Sequence, residues 1–190
     1  MVSWAASVIP DPLVRIDNDP SCFFFIMDIP HGIFVMIEIR PNKVGAFEVY
    51  KSEETGSTLL TYDGRVMMTD IEIEQLSCEV LLENAYGDVL FTGLGLGLHI
   101  GMLIDSGKAD RISVLEKHQE VIDLVGPYFP NVEIFHGDAF TWVPSRKFDC
   151  IWHDIWYDRD TAEDAEFMFE RFSPYCNWQA AWNYGISKIS

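Results

Sequence analysis

The sequence predicts an α/β protein in which a doubly wound, mostly parallel sheet follows an N-terminal region of antiparallel β-hairpins. From Gly87 onward, strand-like and helix-like segments alternate, as in a parallel sheet with helical crossovers. Before that point, residues 21–62 contain short apolar runs separated by turn-forming Pro, Gly and Asn. We therefore divide the chain into a β-hairpin region, 1–75, and a parallel-sheet domain, 76–190.

The N-terminal region contains several predicted strands, and one predicted helix crosses from it into the parallel-sheet domain. Strands are predicted for three apolar segments, SCFFFIMDI, GIFVMIEIR and GAFEVYKS. The segment STLLTYDGRVMMTD carries Asp63-Gly64 between strand-forming residues, which indicates a tight β-hairpin. The segment IEIEQLSCEVLLENAYG has apolar residues at helical spacing, and we predict one helix that ends at Gly87.

The parallel-sheet domain contains four clear strands and three helices. The strands are DVLFTG, RISVLEK, NVEIFHGDA and KFDCIWHDIW, and the tail CNWQAAWNYGISKIS can add a fifth. The helices are LHIGMLIDSG, HQEVIDLV and TAEDAEFMFERF. Few residues follow the fourth strand, so we expect a sheet that is shortened at its C-terminal end.

Composition and charge narrow the classes of partner. The chain has 13 basic and 30 acidic residues and a net charge of −17, so it should repel nucleic acids. No apolar run reaches the roughly 20 residues that a membrane-spanning helix needs, and we expect no secretory signal. The 4 cysteines form no C-x-x-C pair, which favours reduced thiols in a cytoplasmic protein and argues against a metal site.

Three glycines at alternate positions, Gly93, Gly95 and Gly97, follow the first strand of the parallel-sheet domain. A glycine-rich turn lets a ligand approach bare backbone at the N-terminus of the next helix. A dinucleotide site with G-x-G-x-x-G would need glycine at Leu98, and no P-loop lysine is present. The spacing favours a bound nucleoside that lies above the turn. The alternative is a tight turn that binds no ligand.

Two acidic residues end the next two strands. Glu116 ends the second strand, where its carboxylate can accept both hydroxyls of a ribose. Asp138 follows the third strand, where it can accept the amino group of adenine. The alternatives are an exposed glutamate beside Lys117 and an aspartate that caps a helix. Because the carboxyl ends of parallel strands meet at one edge, these residues and the glycine turn together predict a nucleoside site.

This combination resembles the class I S-adenosylmethionine-dependent methyltransferase fold, a Rossmann-like fold, and within it the spermidine-synthase-like group. The resemblance covers about residues 56–158 and extends to short phage or bacterial proteins with a WHDIW segment. It implies S-adenosylmethionine, or its decarboxylated form, as the cofactor. It also implies contacts from the glycine turn to the methionine part and ribose, and from Asp138 and Ala139 to adenine. The cofactor-binding residues predicted in this way are Gly93, Leu94, Gly95, Gly97, Glu116, Lys117, Asp138, Ala139 and Asp154.

The segment WHDIWYD brings Asp154 and Asp158 to the same edge as candidate catalytic residues. Transfer from a sulfonium needs no enzyme nucleophile, but an acceptor that arrives protonated needs a base. Asp154 is that base by position, and the matching aspartate of spermidine synthases has this task. His153 alternates with Asp154, so we expect it to pack on the opposite face of the sheet, and we expect Trp152 to pack as well.

Two departures from the spermidine synthase pattern favour methyl transfer over aminopropyl transfer. Leu96 replaces the aspartate of the G-G-G-D-G-G turn, and the spacing from Asp154 to Asp158 is one residue longer than D-x-x-D. We expect a small-molecule acceptor such as an amine, and the resemblance implies a homodimer through the N-terminal β region. Aminopropyl transfer, a non-catalytic nucleoside-binding protein and an acidic inhibitor protein remain the alternatives.

Overall fold

The computed structural model describes residues 13–14, 24–29, 32–156 and 162–182, with side chains described for 38–156 and 163–182. The first strands form an antiparallel sheet in the order β1-β2-β3. These strands are β1 (Leu13–Val14), β2 (Phe24–Ile29) and β3 (Gly32–Ile37).

Four further strands form a second antiparallel sheet in which each strand pairs with the next along the chain. The predicted hairpin at Asp63 and Gly64 is confirmed, with φ of 47° and 77° at these residues, as a tight two-residue hairpin turn requires. Val49 and Leu60 of this sheet are buried in the core. The strands are β4 (Asn42–Val44), β5 (Phe47–Lys51), β6 (Thr58–Tyr62) and β7 (Arg65–Thr69).

The single helix predicted after β7 is wrong, because the structure has two short helices, α1 (Glu72–Leu76) and α2 (Glu79–Asn84). At the break, the Ser77 hydroxyl donates a hydrogen bond of 2.5 Å to the Glu74 carbonyl. A serine hydroxyl that bonds to the preceding turn competes with the helical backbone and helps to end a helix. Gly87 does not cap α2; it begins the next strand.

The parallel sheet predicted from the alternating segments is confirmed, and its order is β10-β9-β8-β11-β12 with every pairing parallel. The tail forms its fifth strand. The strands are β8 (Gly87–Thr92), β9 (Ala109–Glu116), β10 (Glu133–His136), β11 (Phe148–His153) and β12 (Cys176–Ala181). The helices are α3 (Leu98–Ser106), α4 (Gln119–Val125) and α5 (Ala162–Phe172).

The parallel sheet is covered on both faces by apolar side chains. On one face, β8 residues such as Phe91 pack with α3, α4 and the second antiparallel sheet. On the other face, Leu90 packs with Met168 and Phe172 of α5. The strand order reverses between β8 and β11, and a crevice opens at the carboxyl ends of parallel strands at such a point. Within the described ranges, no helix is both long and apolar enough to cross a bilayer.

Candidate functional site

A cavity of about 380 Å³ lies at the carboxyl ends of β8 to β11. A cavity of this volume suits a small molecule. Of the described residues, no group of three or more could hold a metal ion. Polar lining comes from Glu74, Glu116, Lys117, His118, Asp138 and Asp154, and aromatic lining from Phe47, Phe140, Trp156 and Trp182.

The glycine turn allows close approach of neighbouring segments. Gly93 has φ of 100°, and a Cβ atom there would overlap the backbone carbonyl of Asp154. A Cβ atom on Gly95 would overlap the sulfur of Met68, which reaches over the turn from β7. Both glycines line the cavity. The small residues therefore keep the turn narrow and leave its backbone facing the space where a ligand can lie.

Two predicted cofactor-binding residues of the same turn lie behind the cavity wall. The Leu94 side chain is buried in the core, while its backbone N–H donates to Glu116. Gly97 precedes α3 and packs against the ring of Phe129. Neither is among the described residues that line the cavity. Their structural part is to shape the turn, and direct contact with a cofactor stays a prediction for both.

The Glu116 side chain is only 6% exposed, which excludes the alternative of an ordinary surface glutamate. One carboxylate oxygen accepts the N–H of Leu94 at 2.9 Å, and the other accepts the N–H of His118 at 2.8 Å. These bonds compensate a buried charge. Each oxygen has a second lone pair, so Glu116 can hold the turn and still accept hydroxyls of a ligand.

Asp138 lies at the same edge with its carboxylate already in two interactions. Its Oδ1 accepts the backbone N–H of Phe140 at 2.9 Å, and its Oδ2 lies 3.0 Å from Nζ of Lys117. These two interactions hold the pKa of Asp138 below its usual value. Asp138 caps a turn, not a helix. Lys117 thus links the ends of β9 and β10, and Ala139 lines the cavity beside them.

Asp154 follows β11 and lies against a histidine, His99, that the sequence did not single out. Its Oδ2 lies 3.0 Å from Nδ1 of His99, whose side chain is 1% exposed against 18% for Asp154. His99 stands in the first turn of α3, directly after the glycine turn. The sequence holds a signal for this histidine. His99 follows β8 and Asp154 follows β11, and these two strands are neighbours in the sheet. Its pairing with Asp154 depends on the packing between those elements.

Other sequence predictions at this edge have mixed outcomes. His153 is buried and lies 3.0 Å from the Thr92 hydroxyl and 3.2 Å from Oε1 of Gln179. Its ring contacts the ring of Phe172 in α5, as predicted for a packing histidine. Trp152 is 1% exposed, which confirms its packing role. Asp158 lies outside the described residues, so its catalytic role stays a prediction.

Solved structures of other proteins share this architecture. No family model and no curated protein matches the chain. Spermidine synthase from Thermotoga maritima matches with a TM-score of 0.54 and 16% identity, over 77% of this chain and 57% of that chain. A DhpI-SAM-HEP complex matches with a TM-score of 0.45 and 27% identity, over 55% of this chain and 50% of that chain.

A Clostridium acetobutylicum S-adenosylmethionine-dependent methyltransferase matches with a TM-score of 0.43 and 16% identity, over 57% of this chain and 48% of that chain. The chain thus spans about half the length of the solved structures that it matches. The strand order, the helices on both faces of the sheet and the match to spermidine synthase all indicate the same fold. The chain has the class I S-adenosylmethionine-dependent methyltransferase-like fold.

Proposed function

We propose that this protein is an S-adenosylmethionine-dependent transferase that moves a methyl group to a small acceptor. The observation that carries the proposal is the convergence of the glycine turn with Glu116, Asp138 and Asp154 in one cavity. The fold alone would not distinguish an enzyme from a scaffold. Carboxylates at three successive strand ends, facing one crevice, are what a nucleoside with a cationic substituent requires.

Each part of the ligand has a matching group. Glu116 keeps lone pairs for the ribose hydroxyls while it holds the turn. Asp138 and Ala139 suit the amino edge and the face of adenine. Gly93 and Gly95 line the same cavity, and the remainder of the ligand would lie between this turn and Asp154.

Bound S-adenosylmethionine would supply a methyl group that its sulfonium already activates. The chain's task is then to orient the acceptor and to receive its proton. Asp154 is the carboxylate placed for the proton. Trp156 and Trp182 line the same cavity and can hold a cationic acceptor against their rings. The volume of about 380 Å³ and the net charge of −17 favour a small, neutral or cationic acceptor over a nucleic acid.

Aminopropyl transfer from decarboxylated S-adenosylmethionine is the second candidate. Two observations favour it: the match to spermidine synthase over 77% of this chain, and a fourth carboxylate, Glu74, that lines the cavity. A pocket with several carboxylates favours the form of the ligand that lacks a carboxylate of its own.

Isothermal titration calorimetry with S-adenosylmethionine, S-adenosylhomocysteine and decarboxylated S-adenosylmethionine tests both candidates. We expect the first two to bind, and Glu116→Gln to weaken binding roughly 10- to 100-fold, because an amide replaces a charged acceptor. The matched control is Glu54→Gln, since Glu54 is an exposed glutamate that does not line the cavity. Binding of the decarboxylated form alone would select aminopropyl transfer.

Product formation is measured separately. The protein is incubated with S-adenosylmethionine and small-molecule extracts, and S-adenosylhomocysteine and methylated products are followed by mass spectrometry. Turnover supports the enzyme, whereas tight binding without turnover supports a sequestering protein. Failure of all three nucleosides to bind would overturn the proposal.

A further inference from the structure

We propose that His99 and Asp154 share one proton, which the pair releases when a sulfonium ligand binds and regains from the acceptor. This proposal rests on the proposed function and adds a positioning residue, His99, behind the catalytic carboxylate.

The surroundings of Nε2 fix the tautomer of His99. Nε2 lies 3.0 Å from the backbone carbonyl of Glu74, which can only accept a hydrogen bond. It also lies 3.4 Å from the hydroxyl of Ser77, and that hydroxyl donates its own hydrogen to the same carbonyl. Trp182 donates to the Ser77 oxygen at 3.0 Å and so completes the network. Nε2 therefore carries a hydrogen in every protonation state.

With Nε2 protonated, a neutral His99 has a bare lone pair on Nδ1. That atom lies 3.0 Å from Oδ2 of Asp154, which is ion-pair distance, and it is a buried nitrogen with no hydrogen-bond partner among the described residues. An ionised carboxylate and a bare imidazole nitrogen would repel each other at this separation. The contact is favourable only when the pair holds one proton, so the geometry corresponds to an imidazolium beside a carboxylate.

The charges around the pair support this assignment. Burial is the largest single influence and lowers the pKa of His99, but the interactions with Asp154 and then Glu74 together outweigh it, so the pKa lies above 6.5. The thiol of Cys78 is also close to Asp154; burial, with that charge, raises its pKa to about 12 and keeps it neutral. Trp152 meets the His99 ring edge-on at 5.8 Å and adds no charge.

A ligand above the glycine turn would change this balance. Gly93 packs so closely on the backbone of Asp154 that a group resting on the turn also lies beside the pair. A sulfonium would add one positive charge beside Asp154, close to the imidazolium of His99, whose side chain is 1% exposed. Loss of the shared proton then leaves an Asp154 carboxylate and a neutral His99, whose summed charge offsets the sulfonium.

The same pair can then act as the base. The acceptor nitrogen gives its proton to the pair, and its lone pair forms a bond to the methyl carbon. The carbon–sulfur bond breaks with its electrons going to sulfur, and the imidazolium is restored behind Asp154. The proton balance closes without any further reagent.

Histidine NMR titration of the complete chain tests the shared proton without any ligand. We expect the His99 ring to titrate above pH 6.5 in the wild type, and to titrate at lower pH in Asp154→Asn. A wild-type His99 that titrates at or below 6.5 would overturn the proposal, and this measurement needs no variant to fold.

Calorimetry in buffers of different ionisation enthalpy tests the release. Near the pKa of the pair, S-adenosylmethionine should release about half a proton per molecule bound, since half of the pairs are then protonated. S-adenosylhomocysteine, which has no sulfonium, should release almost none. His99→Asn supplies an N–H to Asp154 but cannot titrate, so binding should persist without the release.

The matched control is His153→Asn, a second buried histidine that contacts α5 on the opposite face and should leave the proton release unchanged. Circular dichroism checks that each variant folds. Equal proton release by the two ligands contradicts the inference while leaving the proposed function standing. Failure of both ligands to bind contradicts the proposed function, and the NMR titration still decides whether the pair shares a proton.

Discussion

At Gly93 the ends of β8 and β11 come close enough that no side chain fits between them. Its N–H donates to the Leu115 carbonyl of β9 at 2.8 Å, and its Cα faces the carbonyl of Asp154. The backbone also adopts φ of 100°, which L-residues rarely take. Position 93 thus combines a steric restriction with a conformational one.

We expect Gly93→Ala to lower the free energy of unfolding by at least about 2 kcal/mol, because it adds a backbone clash to an unfavourable φ. Urea unfolding measures the change. Gly107→Ala is the control, since Gly107 has φ of 63° with open space around it and reports the conformational cost alone. Equal losses in the two variants would show that the clash is relieved without cost.

His153 and His99 make opposite contributions to the pH dependence of stability. Burial lowers the pKa of His153 to about 4, although Gln179 partly offsets this. The unfolded chain then binds more protons between pH 6.5 and 4, so this contribution is complete above pH 6.5 and is lost as the pH falls. The pKa of His99 is raised, so its contribution is present below pH 6.5 and is lost as the pH rises through the folded-state pKa.

We therefore expect His153→Gln to reduce the loss of stability between pH 6.5 and 5, by up to about 1.4 kcal/mol per pH unit. The measurement is urea unfolding at a series of pH values, compared by slope and not by absolute stability. A variant with the same slope as the wild type would contradict the assignment of this pH dependence to His153.

Among elements, β7 makes the contact that joins the second antiparallel sheet to the glycine turn. The Met68 sulfur lies 3.2 Å from the Leu96 N–H, and it covers Gly95. A ligand that lies on the turn must move this side chain or pack against it. Met68 therefore packs against the turn and also limits the space in which a ligand can lie.

We expect Met68→Ala to bind S-adenosylmethionine about fivefold more tightly. Binding to the variant no longer has to break the contact of the Met68 sulfur with the turn, which contributes about 1 kcal/mol. Calorimetry measures the affinity. Met102→Ala, a partly buried methionine of α3, serves as the control for loss of a methionine elsewhere. Weaker binding in Met68→Ala would mean that the thioether supports the ligand.

The elements also show where sequence patterns are insufficient. Apolar spacing over residues 71–87 predicted one helix, and the observed break follows from Ser77, which bonds to the Glu74 carbonyl and to Trp182. Trp182 comes just after β12, at the far end of the chain. The spacing of apolar residues carries no information on either of these hydrogen bonds.

At the scale of the whole molecule, one apolar cluster spans both the second antiparallel sheet and the parallel sheet. Val49 and Leu60 belong to the same buried cluster as Val89 and Val114. A shared core couples the stabilities of its parts, so these two sheets should unfold together.

We expect Val49→Ala to lower the stability of both sheets by about 2 kcal/mol, because Val49 is fully buried. Unfolding is followed by tryptophan fluorescence, which reports mainly on the parallel sheet, and by far-ultraviolet circular dichroism. The two transitions should coincide and shift together. Separate transitions would mean that the boundary we placed at 75/76 divides independently folding units.

The sequence by itself determined the parallel sheet, the position of the glycine turn, and the arrival of Glu116, Asp138 and Asp154 at one edge. It could do so because alternating strands and helices bring the carboxyl ends of parallel strands together. Only the tertiary structure decided that His99 pairs with Asp154 and that Met68 covers Gly95. These contacts join elements distant in the chain, and packing geometry, which no local pattern records, sets their distances.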